Sequence, residues 1–183
     1  NLAIPICAIG DHLGLPPLLP YSGYVLDNWY RLDKSGGISL DNIAMHQNFL
    51  GGQDENWFVL VHVAIEAEAG RALQLATELV EAAAQHDAVK VEQLLTDMNR
   101  VWDAMNAHFD RMPERCDPYI YYQRVRPYIH GWKNNPALPD GLIYEGVAKF
   151  AGKPQAFRVQ TGSQSSIVPS MDGLFQVVHE SDP

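Results

Sequence analysis

Between Tyr119 and Trp132 the chain sets Arg124 and Arg126 among five aromatic rings. Arginine held among rings is costly unless it meets an anion, and no carboxylate stands three or four residues from Arg126 to supply one. A guanidinium fork takes a planar carboxylate through two parallel hydrogen bonds and fixes its orientation. Arg126 therefore reads either as the anchor of an external carboxylate or as half of an interior ion pair with a distant acid or a cofactor's carboxylate. Residue type alone leaves both open.

His62 is the second candidate, set in the apolar run Val59-Leu60-Val61-His62-Val63-Ala64-Ile65. On a helix it shares a stripe with Phe58 and Glu66, one turn to either side. It reads as a core histidine bonded to a neighbour, or as a pocket imidazole that accepts or positions a proton. Glu66 and Glu68 follow on the same helix, where a structural salt bridge is the expected role. A third candidate is the loop Gln160-Thr161-Gly162-Ser163-Gln164-Ser165-Ser166. Its backbone N–H groups and hydroxyls suit either an anion or the cap of the next helix. Tyr21-Ser22-Gly23-Tyr24 could line an aromatic cleft or pack a core. No G-x-S-x-G, phosphate-binding loop, H-E-x-x-H or paired-cysteine motif is present, so a conventional hydrolase or nucleotide-binding reading lacks support.

These residues need elements to hold them. Asp54 reads as the cap of a helix running through Trp57 and His62 to about Gln85, buried in its first half. After His86-Asp87, apolar residues at Val91, Leu94, Leu95, Met98, Val101, Trp102, Met105, Phe109 and Met112 keep the helical period and predict an antiparallel partner. Asp117-Pro118 is a cap and first-turn pair opening the aromatic helix, with Pro127 favouring a kink. Residues 1–20 read as apolar and proline-broken, 21–29 and 39–50 as short helices, 133–163 as loop, and 166–178 as a last helix. No paired sheet is expected.

With 183 residues, 46% of them hydrophobic, the chain is long enough for a real core. A net charge of −9 argues against a nucleic-acid or anionic-membrane partner. Cys7 and Cys116, the only cysteines, make no disulfide framework, and a reducing cytoplasm is expected. Apolar runs fall far short of the ~20 residues of a membrane span.

Taken in order, Pro16-Pro17-Leu18-Leu19-Pro20-Tyr21, Val25-Leu26-Asp27-Asn28-Trp29, Arg126-Pro127-Tyr128-Ile129-His130-Gly131-Trp132-Lys133-Asn134-Asn135-Pro136, Asp140-Gly141-Leu142-Ile143-Tyr144-Glu145-Gly146 and Gln164-Ser165-Ser166 resemble the indoleamine 2,3-dioxygenase family across essentially the whole chain. The departures point to a bacterial-type member. The resemblance implies an all-α, multi-helix haem-dioxygenase large domain. It also implies O2 insertion across the C2–C3 bond of tryptophan or another indole carboxylate, giving an N-formylkynurenine-type product.

By that resemblance Arg126 matches the substrate-carboxylate arginine, and Tyr21, Tyr24, Val25, Phe58, Tyr121 and Tyr122 fall at substrate-binding positions. Thr161 falls in the loop near the substrate ammonium and a haem propionate. Phe58, Thr161, Gly162 and Ser163 are the haem-facing set. Tyr24 stands where animal enzymes usually carry cysteine, Tyr121 and Tyr122 replace phenylalanines, and His62 replaces a serine. A distal histidine resembles the related tryptophan 2,3-dioxygenases, which favours His62 as a pocket residue bonding the indole N–H. None of His12, His46, His62, His86, His108, His130 or His179 matches the family's proximal ligand. Residues 1–183 are accordingly expected to be a single partial domain, the distal-side core of the large domain, incomplete at both ends. Haem b would then take its axial histidine from outside this chain, for instance from a missing C-terminal segment acting as a separate chain. Two other readings stay open: a haem enzyme that rearranges a substituted tryptophan, and a non-catalytic helical binding module.

Overall fold

The computed structural model describes residues 2–158 and 162–179. Its axis is α2 (Gln53–Ala84), a 32-residue helix paired antiparallel with α3 (Ala88–Asp110) across the short turn at 85–87. The Asp87 side chain accepts from the Lys90 N–H and so caps α3. Of the periodic residues of α3, Leu94, Met98 and Met105 are buried against Ala72, Leu75 and Leu79, whereas Leu95 and Phe109 are exposed. Toward its C-terminal end α2 also carries α5 (Ile167–Phe175), whose Ile167 and Met171 close this half of the core.

The N-terminal half of α2 builds a second cluster. Trp57, Val59, Leu60, Val61, Val63 and Ala64 are buried there against Tyr21, Tyr24, Val25, Ile43, Val125 and Ile129. The last two come from the aromatic segment, which opens with the short helix α4 (Pro118–Ile120). As the Asp117-Pro118 pair predicts, Asp117 Oδ1 accepts from the Ile120 N–H. The helix then loosens into a π-helical turn at Tyr121–Val125 and tightens into a 3-10 turn at Arg126–Tyr128, around Pro127. A second π-helical turn, Ser22–Leu26, lies on the other side of this core.

Four expectations are corrected. The segment 39–50 is not a helix: β1 (Trp29–Arg31) and β2 (Ile43–Met45) form an antiparallel ribbon, with Tyr30 opposite Ala44. Asn28 stitches that ribbon from one end, donating to the Gln47 carbonyl and accepting from the Gln47 N–H. Helix α2 starts from Gly52, and Asp54 instead accepts from the Asp117 N–H at 2.7 Å, fastening α4 to α2. The first residues are helical as well, as α1 (Ala3–Leu13), because Pro5 falls in the first turn where its missing N–H has no partner to lose. Finally, the last helix stops at Phe175, since Gln176 turns left-handed at φ 55°.

The loop after the aromatic segment is laced by one hydroxyl. Tyr144 Oη accepts from Trp132 Nε1 and donates to the Pro17 carbonyl, both at 2.8 Å. Among the described residues no helix is long and apolar enough to cross a membrane.

Candidate functional site

The two π-helical turns and the N-terminal half of α2 enclose one cavity, lined by Leu19, Tyr21, Tyr24, Val25, Phe58, His62, Tyr121, Arg126, Ile129 and Gly162. The π turns are what assemble it. In an α-helix residues five apart diverge, whereas the wider π turn brings Tyr121 and Arg126 toward one face. The same widening leaves Tyr122 outside: it is 68% exposed and does not line the cavity, contrary to its expected role. The other sequence candidates meet there: Tyr21, Tyr24 and Val25 from one wall, Phe58 and His62 from α2, Tyr121 and Arg126 from the third. Gly162 closes the edge toward Tyr21. Thr161 lies outside the described residues. Arg124 faces elsewhere, beside Gly51, Asp54 and Glu55.

His62 is partly buried and its Nδ1–H donates to the Phe58 carbonyl one turn back, at 2.7 Å. That bond fixes the tautomer, so Nε2 carries a lone pair and acts as an acceptor. Burial holds the imidazole below its ordinary value of 6.5, opposed by the Phe58 carbonyl and the Glu66 carboxylate. His62 thus stays neutral through the neutral pH range. Its ring lies 4.4 Å from the ring of Phe58, which stacks on Tyr121 at 4.2 Å.

The hydroxyls divide by what their protons do. Tyr21 Oη donates to Glu66 Oε1 at 2.8 Å, so its oxygen has only lone pairs left to offer. Burial, then Glu66, push that hydroxyl far above its usual range. Burial also raises Tyr121, and the Arg126 guanidinium beside it pulls it partway back. Tyr24 Oη is buried without a hydrogen-bond partner. Burial and the neighbouring Glu55 carboxylate keep it protonated.

Arg126 is partly buried, and among the described residues no carboxylate lies within ion-pair distance of it. Of the two sequence readings, the interior ion pair finds no partner among those residues. The side chains fill the cavity to about 60 Å³. A bicyclic ligand therefore has to displace lining side chains, of which Leu19, Phe58 and Tyr121 are partly buried. No thiolate is on offer: burial pushes the Cys116 thiol up to about 11.

Sequence reasoning missed Glu55. It is fully buried, and its carboxylate accepts from the N–H groups of Phe49 at 2.7 Å, Leu50 at 2.8 Å and Gly51 at 3.3 Å. Nothing in the sequence singled it out, because Glu55 stands between Asp54 and Asn56 in a polar run ahead of Trp57.

Comparison with known proteins identifies a family. The indoleamine 2,3-dioxygenase family profile matches residues 1–183. Indoleamine 2,3-dioxygenase 1 of Rattus norvegicus is 34% identical over 180 residues, covering 98% of this chain and 44% of the relative. Indoleamine 2,3-dioxygenase 2 of Homo sapiens is 30% identical over 100% of this chain and 44% of its own length. The Saccharomyces cerevisiae indoleamine 2,3-dioxygenase is 28% identical over 99% of this chain and 41% of its own. The chain thus spans less than half the length of these curated relatives. With the match running through every segment that walls the cavity, the chain belongs to the indoleamine 2,3-dioxygenase family.

Proposed function

We propose that this chain carries the substrate-binding wall of a haem-dependent dioxygenase that inserts O2 across the indole C2–C3 bond of tryptophan or a related indole carboxylate. One observation carries the reading: an Arg126 guanidinium without a carboxylate partner among the described residues lines the same cavity as a neutral His62 whose Nε2 can only accept. A carboxylate and a ring N–H on one small molecule match that pair.

The described residues fit haem along one face. The Phe58 ring, inclined 27° to Tyr121 and 45° to His62, offers an aromatic face a macrocycle could pack on. Phe58 and the backbone at Gly162 and Ser163 would hold it, with Thr161 beside them in sequence. When bound, haem supplies the activation of O2, which none of these side chains provides. Of the described histidines only His62 lines the cavity, and we assign it to the substrate.

The chain's own residues then do three things. Arg126 clamps the carboxylate and sets the ring's depth. His62 Nε2 accepts the indole N–H and fixes the ring's rotation, with Nδ1–H held by Phe58. Phe58, Val25, Leu19 and Ile129 exclude water from the reacting edge.

The test is product analysis with isotopically labelled O2, using the protein supplied with haem and tryptophan. Entry of both oxygen atoms into one product is expected. A product without label overturns the dioxygenase assignment.

A further inference from the structure

Tyr24 Oη is the one buried side-chain polar atom among the described residues that has no hydrogen-bond partner. Buried hydroxyls are nearly always satisfied, and an orphan in a native structure calls for an explanation. Its surroundings offer little. The nearest charge, Glu55, accepts from the N–H groups of Phe49, Leu50 and Gly51 and makes no hydrogen bond to the Tyr24 hydroxyl. Phe49 itself presents only a ring to Tyr24, at 5.7 Å.

Tyr24 is also only 5% exposed, and it lines the cavity that holds His62 and Arg126. The other hydrogen-bonding groups there are already assigned. Arg126 takes a carboxylate, His62 Nε2 takes a ring N–H, Tyr21 has given its proton to Glu66, and the Tyr121 hydroxyl sits against the Arg126 guanidinium. An unsubstituted indole presents only carbon and hydrogen along its six-membered ring, and would seal the Tyr24 hydroxyl in without a partner. That is the costly arrangement, since an unsatisfied buried hydroxyl loses its water and gains nothing.

We propose that Tyr24 is a specificity-determining residue whose hydroxyl bonds a hydroxyl on the six-membered ring of the substrate, so that the cavity prefers ring-hydroxylated indole carboxylates. The inference rests on the indole reading above and deepens it. The Tyr24 O–H can donate to the ligand oxygen or accept from its proton, so either orientation satisfies both groups. A site built to bond a hydroxyl discriminates against the analogue that lacks it, because the site's own polar group is then stranded.

The experiment is calorimetric titration of the protein with tryptophan, with its 5-, 6- and 7-hydroxy isomers, and with the matching methyl isosteres. Wild-type protein and Tyr24→Phe are compared, and the melting temperature of each is taken without ligand. One hydroxy isomer is expected to bind wild-type protein roughly tenfold more tightly than its methyl isostere, the worth of one buried hydrogen bond. In Tyr24→Phe that ratio falls to about one, and the ligand-free variant melts higher because the orphan is gone. A wild-type ratio near one for every isomer, measured while tryptophan binds, overturns this inference alone and needs no variant. A Tyr24→Phe protein that melts lower overturns it too, because the hydroxyl is then satisfied inside the protein. Failure of every indole to bind removes the indole reading, and this inference with it.

Discussion

Tyr21 and Glu66, 45 residues apart, are joined by a hydrogen bond of 2.8 Å from the Tyr21 hydroxyl to Glu66 Oε1. The bond ties the first π-helical turn to α2 beside the cavity and removes one donor from the ligand's reach. Tyr21→Phe deletes the donor and leaves a partly buried carboxylate short of a partner. A loss of about 1 to 3 kcal/mol is expected in urea unfolding. Glu66→Gln keeps an acceptor oxygen and should cost less. Equal stability of wild type and Tyr21→Phe would show that water replaces the hydroxyl freely.

Arg126 offers the cleanest test of the ligand's chemistry. Arg126→Leu should weaken binding of indole carboxylates by tens of fold up to about a hundredfold, while barely moving decarboxylated indoles. Arg126→Lys should recover part of the loss, since it keeps the charge and forfeits the fork. Equal losses on both ligand types would make Arg126 a structural residue.

His62 carries a pH signature whose sign follows from its burial. Its folded-state pKa lies below the ordinary 6.5, so the unfolded chain binds a proton that the folded chain refuses. Stability contributed by the neutral imidazole is present above about 6.5 and falls away as pH drops through that value toward the lower folded one. His62→Asn should flatten the melting temperature between pH 7.5 and 5.5 relative to wild type. Ligand affinity should also persist somewhat below pH 6.5 in wild type, because Nε2 remains an acceptor there. A wild-type melting temperature no more acid-sensitive than that of His62→Asn would put His62 in solvent.

Much of the frame was legible because periodicity records burial directly. Val91, Leu94, Met98, Val101, Trp102 and Met105 keep the helical period, and they pack in the cluster that α3 shares with α2. Asp117-Pro118 announced a helix start with a mechanism, and the cap is there. The ribbon was hidden because its strands are three residues each and are held by Asn28, a side chain that signals turn or cap in one dimension. Tyr122 was placed in the pocket by resemblance; the π-helical turn at Tyr121–Val125, which no residue type announces, leaves it exposed. Glu55 went unread since carboxylates are expected at the surface, and only three-dimensional packing shows three amides converging on it.

Gly141 and Gly14 separate two costs of replacing glycine. Both are left-handed, at φ 98° and 68°. A Cβ at Gly14 meets nothing within 4 Å, whereas at Gly141 it would stand 2.5 Å from the Gln155 carbonyl oxygen. Gly14→Ala should cost about 1 kcal/mol for the backbone conformation alone. Gly141→Ala must also break the Leu142–Gln155 bridge, and a loss of at least about 2 kcal/mol is expected in chemical denaturation. Equal losses at the two positions would mean the loop yields without cost.

Glu55 allows the sharpest local prediction. Its carboxylate sits in the first turn of α2, where the helix dipole favours negative charge, and gathers three amides from the turn that leads into the helix. Glu55→Gln keeps the shape but places an NH2 where a second oxygen had accepted, so donor faces donor at Phe49 or at Leu50 and Gly51. A cost of about 2 to 4 kcal/mol is expected, larger than for an exposed cap because the orphaned amides are sealed from water. Amide hydrogen exchange reads the mechanism residue by residue. Exchange at Phe49, Leu50 and Gly51 should accelerate far more than at Leu94 or Met98 in α3, which pack in the other core cluster. If those three amides stay as protected in the variant as in wild type, their protection comes from burial alone and Glu55 is not what holds the turn against α2.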